Sequence, residues 1–406
     1  MPMLRPTLTL AMLPLVLGAA HNASCAVLQV GSGMAYPAPC AAIAAARPGD
    51  TIEIDARTVY KGDTCRIATN FLTIRGVNGR PRIDAAGKAA EGKGVWVISG
   101  EGVTVENVEI FGARVADRNG AALRVEGKNF TLRRSFLHDN ENGLLSGASP
   151  DSHILIENCE FGHNGDGSGQ SHNVYVGKVA NLSFQANYSH DANVGHNLKS
   201  RARSNSILYN RFSSGAPGEA GSTASGKPSY EIDLPDGGIA YVMGNVIQQP
   251  AENENSAMLA FGEEGASNPE HALYVVNNTF LNDDKAHGTF IKVGAKVAAP
   301  ALLVNNIFAG VGTMSTQANS VARANYQAAQ VGFSDRARYD LHPTDSARVI
   351  NAGAAPPRLP SGAVLRPTSQ YKHVAASEPR PVVGALDIGA YQTVIVQPAQ
   401  AAPWYR

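Results

Sequence analysis

The sequence predicts an all-β chain wound as a single parallel β-solenoid, and three observations carry that prediction. An apolar run, a small polar stretch usually holding Asn, and a large apolar residue recur eight times, closing on Ile110, Phe136, Phe161, Tyr188, Phe212, Ile247, Phe280 and Phe308. The closing residues step by 26, 25, 27, 24, 35, 33 and 28, a period that fits stacked coils. A second phrase repeats at the centre, His172-Asn173-Val174-Tyr175-Val176 and then His196-Asn197-Leu198-Lys199-Ser200, 24 residues apart. Third, the 406 residues include 41 Gly but no helical heptad, which suits many short strands joined by tight turns.

Taken in order, residues 1–26 read as an export signal. Arg5 supplies the positive start, residues 8–17 a short apolar core, and Gly18-Ala19-Ala20 a small-residue cleavage site. That apolar run is too short for a stable membrane span and no later stretch reaches spanning length, so a secreted or periplasmic protein is expected. Residues 27–310 are expected to hold the solenoid and its N-terminal cap, and residues 311–406 the C-terminal coils and cap. An Ala-rich helix at 39–46 is placed to cover the first coil, whose apolar core and strand edge would otherwise be open. An oxidising compartment permits a disulfide, and Cys40 with Cys65 is the first choice, because both lie in the cap region about one coil apart. Cys159 sits inside an apolar run and reads as core.

Within each coil the Asn near the end of the first run is read as the turn residue, tolerant of left-handed backbone and able to pair with its equivalents up the stack. Longer steps imply insertions at 213–228, 248–255 and 263–270, which in solenoids commonly wall one groove. Charge is balanced, 34 Lys+Arg against 34 Asp+Glu, which argues against bulk electrostatic capture of nucleic acid.

The chemistry is expected on the short strand that follows each polar turn. Alternation sends Val174, Val176, Leu198, Ser200, Ile232 and Leu234 inward and Tyr175, Lys199, Arg201, Glu231 and Asp233 outward. One period apart, His196 should lie over His172, Asn197 over Asn173 and Lys199 over Tyr175. His172, Asn173, His196, Asn197 and His190 are the candidate substrate contacts. The bland alternative is structural: turn-satisfying Asn and His, and cross-strand pairs of Lys199 with Glu231 and Arg201 with Asp233.

The repeat, the Pro48-Gly49-Asp50 turn leading into a strand, and the ending Asp387-Ile388-Gly389-Ala390-Tyr391 resemble the right-handed parallel β-helix, pectate-lyase-like superfamily, over nearly the whole mature chain. The resemblance makes that ending a cap closing the last coil. Asn197-Leu198-Lys199-Ser200 resembles the Lys-Ser strand of the chondroitinase B and alginate lyase group. That likeness implies Lys199 as the base that removes the proton α to a uronate carboxylate, and calcium held by Asn and Glu, here Asn173, Asn197 and Glu231. The group's arginine one coil on has no counterpart, since that coil reads Ser229-Tyr230-Glu231-Ile232-Asp233, which leaves Arg201 on the lysine's own strand. The expected function is β-elimination on an acidic polysaccharide. The alternatives are a glycoside hydrolase using Asp233 with Glu231 or Asp191, a C5-epimerase, and a non-catalytic glycan-binding envelope protein.

Overall fold

The computed structural model describes residues 25–214, 227–338, 340–344 and 348–394. Residues 1–24 of the expected export signal and most of the 213–228 insertion lie outside them. Three long parallel sheets run side by side, with twelve strands from Val27–Val30 to Val321–Arg323, eleven from Val59–Lys61 to Tyr326–Ala328, and ten from Cys65–Ile67 to Thr313–Ser315. Most coils contribute one strand to each sheet in turn, those at the two ends fewer, so each interior strand pairs with its equivalents one coil before and after. This is a parallel β-helix, and the repeat extends one coil past the point near Gly310 where the sequence pattern fades.

Its interior is filled by the residues that the period places in line. In the twelve-stranded sheet Leu132, Ile156, Phe184, Ile207, Val242, Val275 and Leu303 stack in register. Phe161, Phe184 and Phe212 add an aromatic column with centroids 6.1 and 5.9 Å apart. Val174, Val176, Leu198, Ser200, Ile232 and Leu234 are all fully enclosed, as alternation predicts.

The turn between the first two strands of a coil divides its work between adjacent positions. One residue takes the left-handed backbone, as Asn107, Asn158, Asn277 and Asn305 do at φ from 53 to 58°. The next one builds the ladder, in which Asn187, Asn210, Asn245, Asn278 and Asn306 each donate Nδ2 to the Oδ1 of the following one at 2.9–3.1 Å, ending on Asn325. A buried primary amide needs donors and acceptors together, and the stacked neighbours supply them jointly with the backbone, as where Asn187 Oδ1 accepts from the Cys159 amide and its Nδ2 also donates to the Ile156 carbonyl.

At the N-terminus the helix Pro39–Ala45 buries Pro39, Ala42 and Ile43 against the first coil. Cys40 is disulfide-bonded to Cys65, with Cα atoms 5.8 Å apart, which ties the cap to the first strand of the ten-stranded sheet. Cys159 is buried and free. The C-terminal segment doubles back along the eleven-stranded sheet, where Ile388, Ala390 and Tyr391 pack with Val246, Leu281 and Ile307. The phrase 387–391 therefore lies on a flank and does not close the last coil: Asn277 Nδ2 donates to the carbonyls of Asp387 and Gly389, two coils before the end.

Candidate active site

The ten-stranded sheet carries the site. Val174–Val176, His196–Ser200 and Tyr230–Leu234 are neighbouring strands, in a register that sets Tyr175 beside Lys199 and Lys199 beside Asp233. The flanking positions of this outward row are Leu145 and Ala260, so the polar groups concentrate on three consecutive coils. Lys199 Nζ lies 3.1 Å from Asp233 Oδ2, 2.7 Å from Glu264 Oε1 and 5.9 Å from the centre of the Tyr175 ring. Arg201 follows the strand end. Its Nε donates to Tyr175 Oη at 2.9 Å, its Nη1 pairs with Asp236 at 2.6 Å, and its Nη2 pairs with Glu264 Oε2. Lys178 Nζ adds a third cation, 3.6 Å from Asp236.

Three carboxylates thus face three cations. Burial works against the ammonium of Lys199, but the charges of Asp233 and Glu264 outweigh it and hold its pKa above the ordinary lysine value. Burial also lifts the Asp233 carboxyl to about 6 in spite of the lysine beside it. Burial opposes ionisation of Glu264 too, yet hydrogen bonds from Lys199 and Arg201 keep that carboxyl below its usual range.

His172 and His196 stack with centroids 4.7 Å apart and planes 14° from parallel, one coil above the other as the period requires. The Nδ1 of His172 accepts from the His196 amide at 3.0 Å, and the Nδ1 of His196 from the Tyr230 amide at 3.2 Å. Each ring therefore carries its proton on Nε2, and that of His196 lies 3.4 Å from Asp233 Oδ2. Burial, reinforced by Lys199, pushes His172 to about 3, and burial holds His196 well below its usual value, so both rings are neutral.

Alternation fails at the corner where the chain enters this sheet. His196 and Lys199 both reach the site, and the two residues between them, Asn197 and Leu198, are both enclosed. Asn173, Asn197 and Glu231 consequently point into the coil and not outward. They end an amide chain in which Asn140, Asn164 and Asn173 each donate Nδ2 to the next side-chain carbonyl at 2.8–3.1 Å, and Asn197 donates to Glu231 Oε2 at 2.5 Å. Enclosure raises the Glu231 carboxyl to about 8, and its Oε1 meets no hydrogen-bond partner among the described residues. The expected ion pairs change accordingly: Lys199 pairs with Asp233 and not Glu231, and Arg201 with Asp236 and Glu264 and not Asp233.

These three residues do not form a calcium site that a sugar could reach. Calcium takes six to eight oxygens, and here the three side chains are enclosed and offer four oxygens, of which all but Glu231 Oε1 accept within the amide chain. The three-residue group with ligand atoms closest to a metal arrangement, His163, His190 and Asp191, supplies two nitrogens and is a poor calcium donor set. His190 belongs to that group and not to the Lys199 cluster. It lies in the eleven-stranded sheet, stacked on Tyr188, with Nδ1 2.7 Å from Asp191 and Nε2 3.4 Å from Glu160. Asp191, a candidate carboxylate for hydrolysis, is enclosed beside it.

Glu264, Asp236 and Lys178 were missed by reading strands alone. Glu264 belongs to the 263–270 insertion, already expected to wall a groove, and Asp236 follows the Asp233 strand across Pro235. A charged residue just past the end of an outward polar strand was the available signal.

No protein-family model and no curated protein matches the chain. Among solved structures, pectate lyase Pel9A superposes with a TM-score of 0.58 at 14% identity, covering 91% of this chain and 97% of its own. An alginate lyase from Paenibacillus sp. str. FPU-7 gives 0.39 at 12% identity over 75% of this chain and 98% of its own. The PL6 family alginate lyase AlyGC gives 0.34 at 13%, over 92% and 60%. The first match shows a shared fold, the right-handed parallel β-helix of a pectate lyase; the other two superpose too loosely to add to it.

Proposed function

We propose that the chain is a polysaccharide lyase that cleaves a uronate-containing glycan by β-elimination. The observation that carries this reading is the register of Tyr175, Lys199 and Asp233 on one open sheet face, with Arg201 bonded to the Tyr175 oxygen. The proton α to a uronate carboxylate is too weakly acidic to leave until that carboxylate is neutralised. Arg201 is the permanent cation for this task, and Lys199 as free amine is the base. The electrons of the C5–H bond form the C4–C5 double bond while the C4–O bond breaks. Tyr175 Oη accepts from Arg201, which leaves its own O–H directed elsewhere and suited to protonate the departing oxygen. The proton gained by Lys199 then restores the tyrosine. No step is routed through calcium.

That a pectate lyase shares the scaffold agrees with an acidic-glycan substrate. Among the described residues no helix is long and apolar enough to cross a membrane, and export to where such glycans occur is part of the proposal. One observation favours hydrolysis as the second reading. Asp233 is raised to about 6 and Glu264 is depressed, and both touch the same ammonium, a split suited to an acid and a base. The deciding experiment incubates the protein with plant, algal and bacterial polyuronates, with and without calcium, and follows both ultraviolet absorbance of the unsaturated uronate and new reducing ends. Absorbance that vanishes in Lys199→Ala supports elimination. Reducing ends without absorbance, lost in Asp233→Asn, overturn it in favour of hydrolysis.

A further inference from the structure

Resting on the elimination reading, we propose that Glu264 is a stand-in for the substrate: its carboxylate occupies the seat that the uronate carboxylate takes in the complex, and it rotates out when the glycan enters. One oxygen meets Lys199 Nζ at 2.7 Å and the other meets Arg201 Nη2, so a single carboxylate spans the two cations that the chemistry requires. That two-point grip on paired cations is the geometry by which a carboxylate is recognised.

The burial of the partners separates Glu264 from the other two acids. The side chains of Asp233 and Asp236 are 3% exposed and form the floor, whereas that of Glu264 is 46% exposed and covers the cations from the solvent side. A ligand approaching the sheet therefore meets Glu264 first, and only Glu264 has room to leave. Its backbone is pinned, with the Glu264 amide donating to the Pro235 carbonyl at 3.1 Å. Asn268 of the same loop donates Nδ2 to the carbonyls of Ala202 and Gly237 at 3.1 and 3.2 Å. Displacement thus needs side-chain torsions alone and leaves the loop in place, a small reorganisation.

Charge points the same way. With Glu264 seated, Lys178, Lys199 and Arg201 are balanced by Asp233, Asp236 and Glu264. Once it rotates away, one positive charge is unmatched, which one uronate carboxylate restores. In the free protein the stand-in keeps Lys199 and Arg201 from repelling one another and holds them ready for the ligand.

The test is calorimetric titration of a trigalacturonate, a trimannuronate and their carboxyl-reduced neutral forms into the wild-type protein and Glu264→Gln. At pH 7 Lys199 keeps its proton, which suppresses turnover, while Asp233 is mostly ionised. Gln leaves a side chain of the same shape with no charge to compete for the cations. The expected result is that at least one uronide binds Glu264→Gln about tenfold tighter than wild type, with a clearly smaller gain for its neutral form. An equal gain for the neutral form, unchanged or weaker uronide binding, or no uronide binding by either protein overturns the proposal. Absence of unsaturated product at alkaline pH, with the tighter binding intact, would instead remove the elimination chemistry and leave the stand-in role standing.

Discussion

Replacing Lys199 by Met removes the ammonium and keeps most of the buried stem, so the effect can be worked out from its neighbours. The Asp233 carboxylate, 3% exposed, loses its cation at 3.1 Å and keeps the neutral His196 at 3.4 Å. Holding a buried carboxylate ionised without its partner costs about 3–5 kcal/mol. Taking up a proton is cheaper: the group already sits at about 6, so protonating it at pH 7 costs about 1.4 kcal/mol. Protonation therefore wins, and Lys199→Met is expected to lose about 1–2 kcal/mol at pH 7. A carboxyl raised above its unfolded value near 3.8 gives stability below that value that is lost as pH rises through the folded one. In the variant the folded value is higher still, so its loss continues to higher pH. Urea unfolding should show the gap between the two proteins small at pH 5, near 1–2 kcal/mol at pH 7 and wider at pH 9. Elimination on an identified polyuronate should fall by about 10²–10⁴-fold, the usual contribution of a general base. A gap that is the same at all three pH values, or activity within tenfold of wild type, would refute the placement of Lys199 between base and buried carboxylate.

Because Asp233 and Glu264 hold Lys199 above its ordinary pKa, the free amine grows with pH, and kcat/KM should rise about tenfold per unit through pH 9, as a pH–rate profile would show. Glu231→Gln keeps an acceptor for Asn197 and cannot ionise. Wild-type stability should fall between pH 5 and 8, where the folded Glu231 carboxyl, raised to about 8, keeps a proton that the unfolded chain has lost. The variant should escape that part of the fall, about 1.4 kcal/mol per unit, in denaturation curves at several pH values, with turnover within a few-fold of wild type. Tyr175→Phe removes the proton donor to the leaving oxygen, and kcat should drop about 100-fold or more while KM changes little. The Cys40→Ser, Cys65→Ser pair releases a crosslink between positions 25 residues apart, with an expected loss of about 3 kcal/mol in urea denaturation.

The coil period made the vertical relations legible. His196 over His172, Asn197 over Asn173 and Lys199 over Tyr175 all follow from one spacing, because parallel coils leave equivalent residues no other neighbours. The direction of side chains was legible only beyond the opening residues of the site strands. Tyr175, Lys199 and Asp233 lie where alternation puts them, whereas Glu231 sits two residues before Asp233, at the corner where the backbone leaves the period of two. There the same residue types that read as an outward polar ladder became an enclosed amide chain. Nothing in their identities distinguishes the two, since Asn and Glu suit either environment once their hydrogen bonds are met.

By itself the sequence determined the all-β repeat, the inward apolar columns and the strand on which Lys199 stands, and it favoured the Cys40–Cys65 crosslink that the structure contains. Each of these depends on a spacing or a residue pattern along the chain. Only the tertiary structure decided which charges meet. Glu264 lies 65 residues beyond Lys199 and Asp236 lies 35 beyond Arg201, and their pairing depends on how far two loops lean over the sheet. A direct ion pair needs its N and O atoms within about 4 Å, and that approach is set by loop paths that carry no period, so the working surface had to be seen in three dimensions.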